Sequence, residues 1–320
     1  MGADCMVPHT VHETRNRRRE CAREVLAGVQ VWSRGYFSIM GGLDWIMPFV
    51  KMNLPVHQKR VELTCGRGEL IWHTWPAQDE ILNDKDTILI RLHQTIQGLS
   101  QEEVSILRTK DWVLRKSTYD FFRKSPLPED RLDYVYRVLY LFRGGKRGDE
   151  IFKDVFMPTK EGEDLRTIMD RIVACQWRMR QIKFTAHDAC ELLETILGEK
   201  NTFVFIDPPY PSRERYYRVH DLDWGRMANL LRDAECKWML VSDINLSPRV
   251  GTAIRNRKRI KYIMDSHQSL LGIMRDFAYE IIRQDYRLGG MFSNLDFTGR
   301  QKEYAIVANY ELHKQLKMFV

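Results

Sequence analysis

The sequence has no uninterrupted apolar run of about 18 residues, the length a membrane helix needs, so no membrane span is expected. Its first twenty residues, MGADCMVPHTVHETRNRRRE, lack the apolar core of a secretory signal. Met6 stands where a myristoylation signal beginning at Gly2 would have Ser or Thr. Cysteines are few and scattered. Cys5, Cys21, Cys65, Cys175, Cys190 and Cys236 include no Cys-x-x-Cys pair. That spacing argues against zinc sites and disulfide frameworks, and for free thiols in a reducing, cytoplasmic compartment. No Gly-Lys-Ser/Thr phosphate loop occurs, which disfavours a nucleoside triphosphatase. Internal repeats and low-complexity linkers are absent too.

What the chain does have is material for a core. Over 320 residues, 44% are hydrophobic and 11% aromatic, enough for one large domain or two ordinary ones. Lys and Arg number 50 against 43 Asp and Glu, a net +7 that mildly favours an anionic partner such as nucleic acid. The stretch KRVELTCGRGELIWHTW reads as a strand, a tight Gly66-x-Gly68 turn and a helix. DEILNDKDTILIRLHQTIQ reads as a strand ending at Asn83-Asp84, then a helix with a 3.6-residue apolar period through Ile88, Leu89, Leu92 and Ile96. Before them, GGLDWIMPFVKMNL carries a glycine pair and an apolar helical pattern. Farther on, IKFTAHD, TFVFI, KWMLVSDI and YAIVANY read as strands, with ACELLETIL and WGRMANLLRDAE as helices between them. Strands alternating with helices predict an α/β sheet.

Residues 100–180 differ. They are helical in pattern, rich in charge and aromatics, and poor in β-branched runs. The expected organisation is therefore a sheet domain in two parts, 1–99 and 181–320, around an inserted helical domain, 100–180. Within the insert, VYRVLYLFRGGKRGDE sets Arg137, Arg143, Lys146 and Arg147 among Tyr136, Tyr140 and Phe142. Two further basic stretches are an N-terminal helical pattern with Arg15, Arg17, Arg18, Arg19 and Arg23, and the run RNRKRIK with Arg257 and Lys258. Each reads either as a phosphate-contacting surface or as a solvated face.

The segment TFVFIDPPYPSRERYY carries the chemistry. Two prolines have fixed φ and no N–H, so Pro208 and Pro209 must leave the sheet in one rigid shape. An acid, Asp207, and an aromatic, Tyr210, bracket them at the carboxyl end of a buried strand, where open α/β sheets bind ligands. These parts suit a reacting amine conjugated to an aromatic ring. A carboxylate and a proline carbonyl can accept from its two N–H groups, and a tyrosine face can stack its ring. The Gly66-x-Gly68 turn lets a ligand approach the backbone, and Asp84 is placed to accept from ribose hydroxyls.

Asp207-Pro208-Pro209-Tyr210, preceded in order by Gly41-Gly42, Gly66-x-Gly68 and Asn83-Asp84, resembles the DNA adenine methylase (Dam, D12-class) family of amino-methyltransferases. The resemblance runs from about residue 36 to 310. It implies a Rossmann-like S-adenosylmethionine-dependent methyltransferase sheet with an inserted target-recognition domain. It implies methyl transfer from S-adenosylmethionine to adenine N6 in double-stranded DNA, the base being flipped out of the stack. No metal is then required, and a cognate restriction endonuclease and a nucleoid location are compatible. By the same resemblance Gly41, Gly42, Cys65, Gly66, Gly68, Asp84, Asp188 and Asp207 bind the donor. Asp207, Pro208, Pro209 and Tyr210 act on the amine. Arg137, Arg143, Lys146, Arg147, Arg257 and Lys258 contact DNA. The chain departs from the family at Thr64, where Phe is usual, and at Leu43, where Lys follows the glycine pair. The same carboxylate geometry serves cytosine N4 or an RNA base. A protein that keeps the fold and binds DNA without catalysis is the reading from a different class.

Overall fold

A computed structural model of the chain describes residues 36, 43, 46–145, 152, 154–211, 217–244, 257–285 and 301–313, as backbone alone at 257–259, 283–285 and 301–302. Seven strands form one sheet: β1 Lys59–Glu62, β2 Asp79–Asn83, β3 Ile182–Thr185, β4 Thr202–Ile206, β5 Lys237–Asp243, β6 Ala278–Asp285 and β7 Gln301–Ala308. Their spatial order is β3-β2-β1-β4-β5-β7-β6. The first five run parallel, and β7 lies antiparallel between β5 and β6. Connections leave β1 toward β2 on one side and β4 toward β5 on the other. That switch opens a crevice at the carboxyl ends of β1 and β4. The fold is the expected α/β one, a Rossmann-like, mostly parallel sheet.

The two-residue period of a strand explains why TFVFI is apolar throughout. Every β4 residue is buried. Val204 and Ile206 join Trp238, Leu240, Ala305 and Val307 on one face. Phe203 and Phe205 join Met239, Val241, Tyr304 and Ile306 on the other. The first face is covered by helices Ala189–Ile196, Trp224–Asp233 and Arg257–Asp276, the second by helix Met47–Met52. Helix starts are set by side-chain caps at Asp86, Ser100, Asp130, Asp188 and Asp223, each accepting from backbone amides of the first turn.

Between helix Thr87–Gln97 and β3 the described residues form four further α-helices, Gln101–Thr109, Lys116–Lys124, Arg131–Gly144 and Thr167–Met179, and a 3-10 turn at Pro158–Lys160. They do not build a separate core. One cluster runs from Leu82, Ile182 and Phe184 at the sheet edge through Leu92 and Ile96 to Trp112, Tyr134, Val138 and Ile172 in these helices. A buried ion triad fastens the last helix to the sheet. Glu80 of β2 accepts from Arg60 of β1 and, bidentately, from Arg178.

Two elements lie outside the sequence expectation. The RNRKRIK run opens a 20-residue helix, Arg257–Asp276. AYEIIRQD forms β6, an edge strand paired only with β7. An edge strand has one side unpaired, and the start of this one is exposed at Ala278 and Tyr279, so the segment lacks the apolar run that betrays an interior strand. Among the described residues no helix is long and apolar enough to cross a membrane.

Candidate active site

The carboxyl ends of β3, β2, β1 and β4 deliver Asp188, Asp84, the Cys65–Gly68 turn and Asp207, in that spatial order, to one cleft. Its empty volume is ≈ 1040 Å³, open solvent at its mouth included. Gly66 and Gly68 hold φ of 51° and 78°, in the left-handed region that glycine alone enters without strain. A Cβ at Gly68 would also stand 2.9 Å from Leu82 Cδ2. The turn is closed by Gly68 N donating to Cys65 O at 2.6 Å and tied to β2 by Cys65 N donating to Asn83 O at 2.7 Å. Asn83 in turn holds Leu63 O and His187 O with its amide nitrogen, each at 3.0 Å.

Asp84 sits against this turn. Its carboxylate accepts from Gly66 N and from Asp86 N, both at 2.9 Å. Burial pushes its pKa up to about 6 against the pull of those amides. From below, His93 Nε2 donates to Gly66 O at 2.8 Å, and Tyr36 donates to His93 Nδ1. Burial lowers the His93 pKa to about 4, so the imidazole is neutral and this tautomer fits both bonds. Asp188 caps helix Ala189–Ile196 and takes Lys85 at 3.1 Å. Lys85 also reaches Asp221 at 2.8 Å, and Arg218 pairs with Asp86. Those two ties draw the segment from Tyr217 to Leu222 across the cleft as its far wall.

Asp207 opens onto the cleft directly after β4. Its backbone N–H donates to Thr64 Oγ1 at 3.1 Å, and its carboxyl accepts from the Tyr210 hydroxyl at 2.7 Å. Burial, reinforced by Glu69 and Glu62, pushes its pKa up to about 8 although Tyr210 and Arg67 act the other way. Pro209 lines the cleft, while Pro208 is buried behind it.

Tyr210 is placed differently from the sequence expectation. It is 2% exposed, packed edge-on to Tyr304 with ring centroids 5.7 Å apart. Its face is therefore covered, and what it gives the site is the hydroxyl on Asp207. Arg137 is the other correction. It is 5% exposed and donates to the carbonyls of Phe122, Ser125 and Pro126, so it joins two helices of the insertion and cannot reach a phosphate. Arg143 pairs with Glu163. Gly41, Gly42, Lys146 and Arg147, the side chains of Arg257 and Lys258, and the N-terminal arginines lie outside the described residues.

Three acidic features escaped the sequence reading. Glu62, at the end of β1, accepts from Ile71 N at 2.9 Å and Leu70 N at 3.4 Å in the first turn of helix Glu69–His73. Its signal was an acid inside an apolar strand, VELT, and burial lifts its pKa to about 8. Glu69 accepts from Leu43 N at 3.2 Å and from Arg67, and its Oε2 is buried without a hydrogen-bond partner among the described residues. Among the described residues the cleft carries six carboxyls, Glu69, Asp84, Asp86, Asp188, Asp207 and Asp221, against Arg67, Lys85 and Arg218. The two departures from the family pattern also have reasons. Leu43 is fully buried among Met47, Leu70 and Phe205, where an ammonium would be stranded, and Thr64 supplies the acceptor for Asp207 N.

No family model matches the chain, and no curated protein matches it in sequence. Among solved structures it is similar to an O-methyltransferase from Bacillus cereus in complex with SAH, at 8% identity and a TM-score of 0.36, covering 95% of this chain and 93% of that one. It is also similar to cofactor-bound Rv0187 from MTB, at 14% identity and a TM-score of 0.25, over 70% of this chain and 90% of that one.

Proposed function

We propose that the protein is an S-adenosylmethionine-dependent methyltransferase acting on an exocyclic amine of a nucleobase, adenine N6 in DNA. The observation that carries the donor assignment is Glu62. A glycine turn opening a helix after β1 is also where dinucleotide-binding sheets seat a pyrophosphate, on the free amides of the first helical turn. Here a carboxyl already occupies Leu70 N and Ile71 N, and six more acids line the cleft. The amides a pyrophosphate would need are therefore taken, and the acids that stay ionised near neutral pH, Asp84 with its pKa of about 6 and Asp188 held below its ordinary value, attract a cationic sulfonium donor. The donor's amino-acid end fits as well, because Glu69 Oε2, which has no hydrogen-bond partner among the described residues, is a ready acceptor for an ammonium.

The residues would hold the donor in sequence along the strand ends. Asp84 accepts from ribose hydroxyls, Gly66 and Gly68 allow close backbone approach, and Asp188 closes the adenine side. When bound, S-adenosylmethionine supplies a methyl group activated for transfer by its sulfonium. Asp207 accepts one N–H of the target amine, and the Pro208 carbonyl, fixed by two rings, accepts the other. Both bonds favour the pyramidal amine whose lone pair is free to react. Thr64 holds the Asp207 backbone in place for this, and the ionised carboxylate can take the proton the amine sheds. Arg143, Lys146, Arg147, Arg257 and Lys258 remain the proposed DNA contacts, Arg143 having to leave its pairing with Glu163 or share it.

The test is methyl transfer from labelled S-adenosylmethionine to genomic DNA, with base-resolved sequencing of the product. Adenine N6 methylation at a recurring site is expected. Asp207→Ala should remove it, at a cost of about 2.7–4 kcal/mol by analogy with loss of a single preorganised contact. Modification confined to cytosine N4 or to RNA would reassign the substrate. DNA binding with neither transfer nor donor binding by calorimetry would leave a DNA-binding protein of this fold.

A further inference from the structure

A second cleft lies at the opposite, amino-terminal end of the sheet and shares no lining residue with the first. It is larger, with an empty volume of ≈ 1610 Å³, open solvent included. The start of β1, the end of helix Glu69–His73 with the loop after it, and helix Thr167–Met179 wall it. Two features set it apart from a packing defect. Trp75 and Trp177 stand in it 58% and 48% exposed, an unusual cost for large indoles in water. And none of its lining residues is Asp or Glu, whereas Lys51, Arg60 and Arg178 all line it.

The buried charge beneath the indoles is unbalanced. Arg60 and Arg178 share the carboxylate of Glu80, and the other acid acting on Arg60, Glu62, is kept mostly protonated near neutral pH by burial, its pKa pushed up to about 8, so the group keeps a net positive charge. Arg60 also donates to the backbone carbonyl of Trp75 at 3.2 Å, which ties the loop carrying that indole to the triad, and helix Thr167–Met179 carries both Trp177 and Arg178 into the cleft wall. Arg60 Nε and Arg178 Nε are buried donors with no acceptor among the described residues. A site with exposed aromatic faces, surplus positive charge and no acid is complementary to a planar ring that carries a negative charge.

We propose that this cleft binds a nucleotide, its base against Trp75 and Trp177 and its phosphate met by exposed Lys51, with the buried Arg60–Arg178 pair attracting it at a distance rather than by contact. The ring stacks on an indole, and the anion offsets the charge that Glu80 leaves uncompensated. The site is independent of the donor cleft and of what that cleft transfers.

Calorimetric titration of the full chain with guanosine 5′-monophosphate, guanosine and inorganic phosphate tests this. The monophosphate should bind at one site, guanosine at least tenfold more weakly, and phosphate without measurable heat. Trp75→Ala combined with Trp177→Ala should weaken the monophosphate at least tenfold with the melting temperature unchanged, since both side chains are exposed. Lys51→Glu should weaken it in the same direction, and Asp84→Ala in the donor cleft should leave it unaltered. A short single-stranded oligonucleotide in place of the monophosphate separates the sources. Tighter binding that the double variant loses assigns the cleft to a strand; equal or weaker binding assigns it to free nucleotide. Absence of binding at millimolar monophosphate would overturn the proposal. So would binding indifferent to the tryptophan variants, binding lost in Asp84→Ala, or guanosine binding as tightly as its phosphate.

Discussion

Lowering the pH from 7.5 to 6 should weaken binding of S-adenosylmethionine by about twenty-five-fold, and Asp207→Asn should abolish most of that dependence. The empty site holds the Asp207 carboxyl at about 8, chiefly by burial. A cationic donor beside it needs the ionised form. The apparent dissociation constant therefore scales as one plus the ratio of protonated to ionised carboxyl, roughly 4 at pH 7.5 and roughly 100 at pH 6. That difference is about 1.9 kcal/mol. Asp84, at about 6, adds about a further factor of two at the acid end. Ending the series at pH 7.5 stays below the range, about 7.7–8.0, where an α-amino group such as the donor's loses its proton. Calorimetry in two buffers of different protonation enthalpy reads the linkage directly. At pH 7 the wild type should release about 0.9 proton from Asp207 per donor bound. The same burial has a stability signature of fixed sign. The native carboxyl keeps its proton where the unfolded one has lost it, so the empty protein loses stability as pH rises between about 4 and 8 and holds the full contribution below about 4. A wild-type affinity that moved less than threefold across the series, in parallel with the Asn variant, would refute the reasoning.

Thr64→Val keeps shape but removes the acceptor for Asp207 N. Single-turnover rates should fall by up to about tenfold, a neutral hydrogen bond being worth about 0.5–1.5 kcal/mol, with donor affinity within twofold and recovery in Thr64→Ser. Asp84→Ala should raise the donor dissociation constant at least about tenfold by calorimetry, since it removes charge-assisted bonds of about 1.5–3 kcal/mol. Glu80→Ala leaves two buried guanidiniums facing each other and should lower unfolding free energy by about 3–5 kcal/mol, measured with denaturant. Burial pushes the Glu80 pKa up, but Arg178 and Arg60 more than offset it and hold it below the ordinary value. The stabilisation from the triad is therefore present above the usual carboxylate range and lost as pH falls through the depressed pKa.

The sequence by itself determined the elements whose cause is local. TFVFI is a strand because both faces of β4 are buried, and the 3.6-residue period through Ile88, Leu89, Leu92 and Ile96 is the inner face of helix Thr87–Gln97. Two adjacent prolines ended β4 and fixed Asp207 at its carboxyl end, and the glycines of the turn had to be glycines because their φ is positive. These placed Asp84 and Asp207 at the ligand-binding ends of their strands, the family resemblance alone pointed to Asp188, and the three line one cleft. Tertiary structure decided what local pattern cannot carry. Thr64 meets Asp207 across 143 residues of chain, and Glu80 meets Arg178 across 98. Arg137 reads in sequence as a basic residue in an aromatic helix, and only the packing of Lys116–Lys124 against Arg131–Gly144 turns it inward to three carbonyls. Tyr210 reads as an exposed ring, and only the arrival of β7 with Tyr304 covers it. The sign of the cleft was equally invisible. Its acids come from five separate segments, and their charge is gathered only once parallel strands bring those segments to one edge, where burial raises the pKa of Asp84 and of Asp207.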